Sequence, residues 1–373
     1  MHMGRMTQLE TPQDLRPLTA LRFGAAIWVA LFAFWPDLDV SFMPNLVAKG
    51  YLGVELFFVL SGFILCHVYL AAHGEKRFSY GSFLWARIAR VYPLHIATLI
   101  GVGVLAFGAL AAGMSVNGNI LSWSSLPANI LMVHAWGFAP VAGWNHPSWS
   151  ISAEWFAYLC FPAFAFVAWR LRERPIAAVI GAVALLVGLY IVFQMLAGFP
   201  LTQATIRWGA LRIVPCFALG CALYLMHRKI ALPRPGLMAA GFAVAIAAAG
   251  SLSAPDAVIV PLCGALILSL AALPNARAGW LASKPAVYLG EISYSVYMVV
   301  VPWKLLAVNA ASKLTGGGDK LQLFVWLAVF LMLPVVAAVS YHLVEFPARR
   351  ALRGIAQRRA DRAKERTGGP QLA

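Results

Sequence analysis

Residues 21–36, LRFGAAIWVALFAFWP, read as a membrane span, yet Arg22 stands near their start. Comparable apolar runs recur along all 373 residues, about ten in number. They cover roughly 18–36, 51–71, 91–112, 149–169, 176–197, 206–227, 236–250, 256–273, 286–308 and 321–344. Residues 127–142 are apolar but interrupted, as a re-entrant or interfacial piece would be. The chain is 61% hydrophobic and 12% charged, about half the charged fraction of a soluble domain. Mean hydropathy is +0.76. The expectation is an all-α polytopic membrane protein.

The net charge of +15 does not require a nucleic-acid partner, because the basic residues lie between spans and in the tail. With the N-terminus inside, Arg5, Arg16, Lys76, Arg77, Arg87, Arg90 and the later basic clusters fall on the cytoplasmic side, about 22 of the 29. Residues 113–148 contain no Lys or Arg, as an exoplasmic loop would. Both termini are therefore expected in the cytoplasm. The domain reading is a cytoplasmic segment over 1–17, a membrane domain over 18–346 and a basic cytoplasmic tail over 347–373, attracted to anionic membrane lipids. The five cysteines fall inside spans without a CxxC pair, so neither a disulfide frame nor a metal site is expected.

A charge inside a span costs about 2.5–3.5 kcal/mol on insertion scales, so each one needs a partner or a task. Candidates are Arg22, Glu55, Glu154, Arg212, Glu291 and Glu345. Eleven positions on from Arg22, a helix has turned about 1100° and risen roughly 16 Å. Position 33 thus shares the face of Arg22, but it is Ala33. Arg22 alone reads either as a site residue or as a snorkelling stabiliser. Ser61 and Gly62 read first as helix packing, whereas Glu55 calls for a polar partner. Arg87 and Arg90, three apart, share a face that suits either phosphates or a positive-inside anchor. In WNHPSWSISAEWFAYLCFP (144–162), three serines precede Glu154 among Trp144, Trp149 and Trp155. That mixture suits an aromatic belt or a carbohydrate, with His146 a base or a solvated loop residue. Glu345 stands four residues before Arg349, the spacing of a helical ion pair.

In order and spacing, the chain resembles the membrane-bound acyltransferase-3 family, the O-antigen acetylase-like acyltransferases. The matching pieces are LTALRFGAAIWVALFAFWP, GVELFFVLSGFIL, FLWARIARVYPLH, PSWSISAEWFAYLCFP, LRIVPCFALG, LGEISYSVYM and SYHLVEFPARR, from about residue 18 to 350. The resemblance implies transfer of an acyl group, usually acetyl, from cytoplasmic acyl-CoA to a hydroxyl of a sugar or lipid-linked saccharide. It implies no metal, and a location in the bacterial inner membrane. Some relatives acylate macrolides, succinylate glucans or modify peptidoglycan. A non-catalytic glycan transporter or scaffold would instead predict symmetric repeats with broken helices.

Carried over by residue, the resemblance assigns catalysis to Arg22, position 33 and Glu154. It assigns CoA to Arg87, Arg90, Tyr92 and Arg22. The acceptor set is Glu55, Trp144, His146, Ser148, Trp149 and Ser152. Arg212, Tyr294 and Glu345 are structural polar groups. The family motif in the first span is an arginine, ten residues and a histidine; Arg22 fits, and Ala33 stands where the histidine would. Val300 stands where many members have another histidine. Histidine is the natural base for a sugar hydroxyl near neutral pH. The intact flanks of Ala33 point to an engineered His→Ala change and to little turnover by this chain.

Overall fold

The computed structural model describes residues 14–114, 116–316 and 320–367; Arg5 and most of the N-terminal segment lie outside them. A lipid-facing backbone must satisfy its own polar groups, so apolar runs of this length fold as helices. In chain order these are α1 (Arg16–Phe34), α2 (Asn45–Ala48), α3 (Gly53–Gly74), α4 (Tyr80–Ala111) and α5 (Leu126–Ile130). Then come α6 (Trp149–Leu159), α7 (Phe161–Leu171), α8 (Pro175–Ala197), α9 (Gly209–Lys229) and α10 (Pro235–Ser251). The last are α11 (Asp256–Ala271), α12 (Lys284–Thr315), α13 (Leu323–Ser340) and α14 (Phe346–Thr367). Prolines in the first turns of α1, α7, α8, α10 and α12 mark where several helices begin, since the missing N–H is not needed there.

Every expected span lands on one of these helices or on the α6–α7 pair. Their lengths differ from expectation. Among the described residues, seven helices are long and apolar enough to cross a membrane. The α6–α7 pair, bent by 59°, makes an eighth if it is one crossing. Helices α10 and α11 have 17 and 16 residues, about 25 Å at 1.5 Å per residue, against a hydrocarbon core of about 30 Å. The interrupted stretch 127–142 folds into α5 and a single turn at His134–Trp136. The protein is an all-α polytopic membrane protein.

Helices α3 and α9 form the centre. A Cβ on Gly62 would strike the Phe217 carbonyl, and one on Gly220 the Val59 carbonyl. The two backbones therefore touch, which only glycine permits. Helix α12 packs along α1 and α13, and α10 pairs with α11.

Polar ties close each end of the bundle. At one, Lys229 pairs with Glu173 at 2.7 Å, and Trp85 donates to the Leu352 carbonyl at 2.9 Å. At the other, Asp256 collects Lys49 (2.6 Å), Tyr51 (2.9 Å) and Thr202 (2.5 Å). There too Lys304 meets Asp37 at 2.8 Å, and Asp39 N–H donates to the Leu321 carbonyl at 2.9 Å.

Candidate functional site

A cavity of about 300 Å³ lies between α1, α3, α4, α6 and α12. The α3 side is mostly apolar, with Phe57, Phe58, Ile64 and Leu65. The other helices bring the polar groups: Arg22 from α1, Arg87 and Arg90 from α4, Glu154 and Tyr158 from α6, Tyr294 and Tyr297 from α12. Arg22 is half-buried, and its charge interacts with those of Arg90, Glu345 and Glu154. The span charge that opened the sequence reading thus faces an internal polar space, not lipid.

Glu154 is held by Ser61, whose hydroxyl donates to Oε1 at 2.7 Å. Gly62, about 100° further round the helix, faces α9, so the two neighbours read together as packing have different tasks. Helical geometry sorts the α6 residues as well. Ser150, Glu154 and Tyr158 recur every four positions and all line the cavity. Ser148 and Ser152 lie on another face. Ser152 Oγ accepts from the Ala135 N–H at 3.0 Å, and Ser148 Oγ lies 3.1 Å from His134 Nε2. Sequence reasoning read Ser61 as packing, left Ser150 among the three serines without a role, and passed over Tyr158 and Tyr297. The signal was the four-residue stripe through Glu154, together with Ser293 and Tyr297 at the same spacing.

On α4 the guanidinium of Arg87 sits 5.7–5.9 Å from the ring centres of Tyr69, Phe83 and Tyr158. Such rings favour a cation and hold it in place. Tyr92, grouped with the arginines from sequence, packs into the core near His95 and does not line the cavity. Tyr294 does, and its hydroxyl ties α12 to α4 through the Val91 carbonyl at 2.7 Å. Glu345 sits behind the arginines. A π-helical turn at Tyr341–Glu345 precedes α14, and the Glu345 carboxylate accepts from Ser295 at 2.8 Å. It interacts electrostatically with Arg90 first, then Arg22 and Arg349. Arg349 is therefore one charge among several that act on it, and the weakest of the three.

The expected acceptor residues stand elsewhere, and the structure gives most of them packing partners. Glu55 is fully buried and bound by Arg212 at 2.5 Å; Arg212 lies over the Trp149 ring at 4.5 Å. Trp144 donates to the Ser122 carbonyl at 2.9 Å. His146 is exposed. None of these lines the cavity, and neither does Ala33, whose carbonyl accepts from Lys304 at 2.8 Å. The outer half of the α1 face is covered instead: a Cβ on Gly53 would meet Val29 and the Ala25 carbonyl. Val300 is buried between α1, α12 and α13.

Outside the spans, burial pushes the His134 imidazole down to about 3. Its neighbours are His95, stacked at 6.0 Å, along with Ser148 and His146. The unfolded chain takes up this proton near 6.5 while the folded chain refuses it, so stability is lost as pH falls below about 6.5. The expected slope is about 1.4 kcal/mol per pH unit for this one group. Thermal unfolding between pH 7 and 5 checks it: H134Q should flatten the slope, and an unchanged slope would reject the assignment.

Chemically, the cavity offers guanidinium groups for an anion or a developing oxyanion, one fixed carboxylate for a proton, and an apolar wall. Among the described residues, no group of three His, Cys, Asp or Glu side chains is placed to hold a metal ion.

Comparison with known proteins carries this further. The family model described as "Acyltransferase domain", acyltransferase-3, matches residues 17–344. Acyltransferase MdmB of Streptomyces mycarofaciens is 30% identical over 333 residues, 81% of this chain and 81% of that protein. O-acetyltransferase OatA of Staphylococcus aureus is 23% identical over 379 residues, covering 93% of this chain but 59% of OatA, so the match spans under two thirds of that relative. A third, Protein 2 in picA locus of Rhizobium radiobacter, shares 50% over 52 residues, 14% of this chain and 27% of its own. No solved structure matches. With a match across nearly the whole bundle, the chain belongs to the acyltransferase-3 family.

Proposed function

We propose that the chain is an O-acyltransferase of the bacterial inner membrane, built to move an acyl group, acetyl first of all, from cytoplasmic acyl-CoA to a hydroxyl of a surface glycan or lipid-linked saccharide. The observation that carries this is the convergence of Arg22, Arg90 and Glu154 from three helices on one cavity. Arg87 and Arg90 would hold donor phosphates, and both termini would then face the donor side. Arg22 would face the thioester oxygen as charge builds there. The acceptor oxygen attacks the thioester carbonyl, the C–S bond breaks, and the hydroxyl proton passes to a base and then to the CoA sulfur. Glu154, positioned by Ser61, is the carboxylate available inside the cavity. For the acceptor, the residues expected from sequence give way to Glu154, Ser150 and Tyr297, which line the cavity; Ser150 donates to Tyr297 Oη at 2.8 Å.

A small hydrophobic acceptor, such as a macrolide, is the second reading, favoured by the apolar α3 wall. Both rest on the same donor. The full chain in lipid nanodiscs should bind acetyl-CoA, and R90Q should raise the Kd about tenfold, the loss of one charge-assisted contact. Equal affinity of the wild-type chain and R90Q would remove the donor assignment.

A further inference from the structure

Arg87 and Arg90 are not alone at their end of the bundle. Helix α14 packs against α4, and the Trp85 indole fixes it there through the Leu352 carbonyl at 2.9 Å. Arg349 and Arg353 are four residues apart on α14 and so share a face. Arg353 stands in the electrostatic field of Arg349, Arg87 and Arg90. Four guanidinium groups thus gather where α4 meets α14.

Their protein partners are few. Arg349 has Tyr341 and Glu345 for company. Glu345 already accepts from Ser295, and Glu154 from Ser61. Arg87 has one long contact, to Tyr69 Oη at 3.4 Å, and its Nε is buried without a hydrogen-bond partner. A buried donor without an acceptor is costly unless a ligand supplies one. Like charges gathered this closely also repel unless an anion lies among them. Arginine is the side chain suited to phosphate, because its planar fork binds two oxygens at once.

We propose that Arg349 and Arg353 join Arg87 and Arg90 in a single phosphate-binding cluster, which makes the first turns of α14 a wall of the donor site. This rests on the acyl-CoA reading and extends it to a helix that the sequence presents only as a basic tail. CoA carries a diphosphate and a ribose phosphate, more anionic charge than Arg87 and Arg90 alone would match. An anionic lipid headgroup offers the same phosphate chemistry, and the experiment must separate the two.

The test is titration of CoA against the full chain in phosphatidylcholine nanodiscs, repeated in discs containing phosphatidylglycerol. R353Q is the decisive variant, because Arg353 is exposed and its loss leaves the packing intact. It should raise the CoA Kd about tenfold in both discs. R353K should recover part of that loss, and R350Q, altering an exposed neighbour, should stay within about twofold of wild type. Equal CoA affinity of R353Q and R350Q, with R90Q still weakened, overturns the α14 site and leaves the donor reading standing. R353Q losing only its association with phosphatidylglycerol assigns the cluster to lipid and also overturns the proposal. If the wild-type chain does not bind CoA, the donor reading fails and the α14 site falls with it.

Discussion

R212M is expected to destabilise the protein by about 3–5 kcal/mol, because it strands the Glu55 carboxylate in the centre of the bundle. Both partners are buried, at 2% and 0% side-chain exposure, and their 2.5 Å contact joins α9 to α3. Arg212 also donates to the Ala204 carbonyl at 2.8 Å and lies over Trp149. The pair is nevertheless incompletely satisfied: Glu55 Oε2 and Arg212 Nη2 have no hydrogen-bond partner. Desolvation of two such charges offsets much of their attraction. The double variant E55L/R212M should therefore recover most of the stability lost by R212M. Thermal unfolding in detergent micelles compares the three proteins. Equal loss in the single and double variants would mean that the contact with Ala204, not the stranded carboxylate, sets the cost. The double variant also bears on the expected acceptor role of Glu55, since a purely structural pair predicts unchanged acceptor KM at a temperature where the variant is folded.

The fold was legible because apolar length is written in composition: all ten expected spans fall on helices or on the α6–α7 pair. The shortness of α10 was legible too, read at 236–250 against Pro235–Ser251; what sequence could not supply was the 59° bend between α6 and α7, which packing partners decide. At the site, Arg22 and Glu154 were legible as charges too costly for lipid, and Arg87 and Arg90 as a same-face pair suited to phosphates or to a positive-inside anchor; all four meet in one cavity. Neutral residues were not. Ser61 and Gly62 are adjacent and small, and only the neighbouring helices show that one holds Glu154 while the other lets α9 approach. Ser152 entered the site with Glu154 through the family's Ser-x-Glu pattern, but two positions on a helix are about 200° around, and its hydroxyl accepts from the Ala135 N–H on another face.

The largest gain of function is expected from A33H: about a hundredfold or more in acetyl transfer, the range of a positioned general base. The surroundings suit an imidazole. Asp37 lies four residues further on, in the single turn Trp35–Asp37 that follows α1, and a carboxylate there would fix the tautomer and raise ring basicity. Lys304 competes for that carboxylate at 2.8 Å, which would limit the effect. Distance argues on the other side. Ala33 does not line the cavity, and it stands roughly 16 Å along α1 from Arg22. Glu154 already places a carboxylate inside the cavity. The kinetics separate the two bases. If position 33 moves the proton, A33H raises kcat with the acetyl-CoA KM unchanged and adds a limb to the pH profile that rises through about 6.5. If Glu154 moves it, A33H gains nothing, and E154Q abolishes whatever transfer the chain performs. A gain in A33H that survives E154Q would make Glu154 a positioning group for the acceptor, and its loss would show in KM instead of kcat.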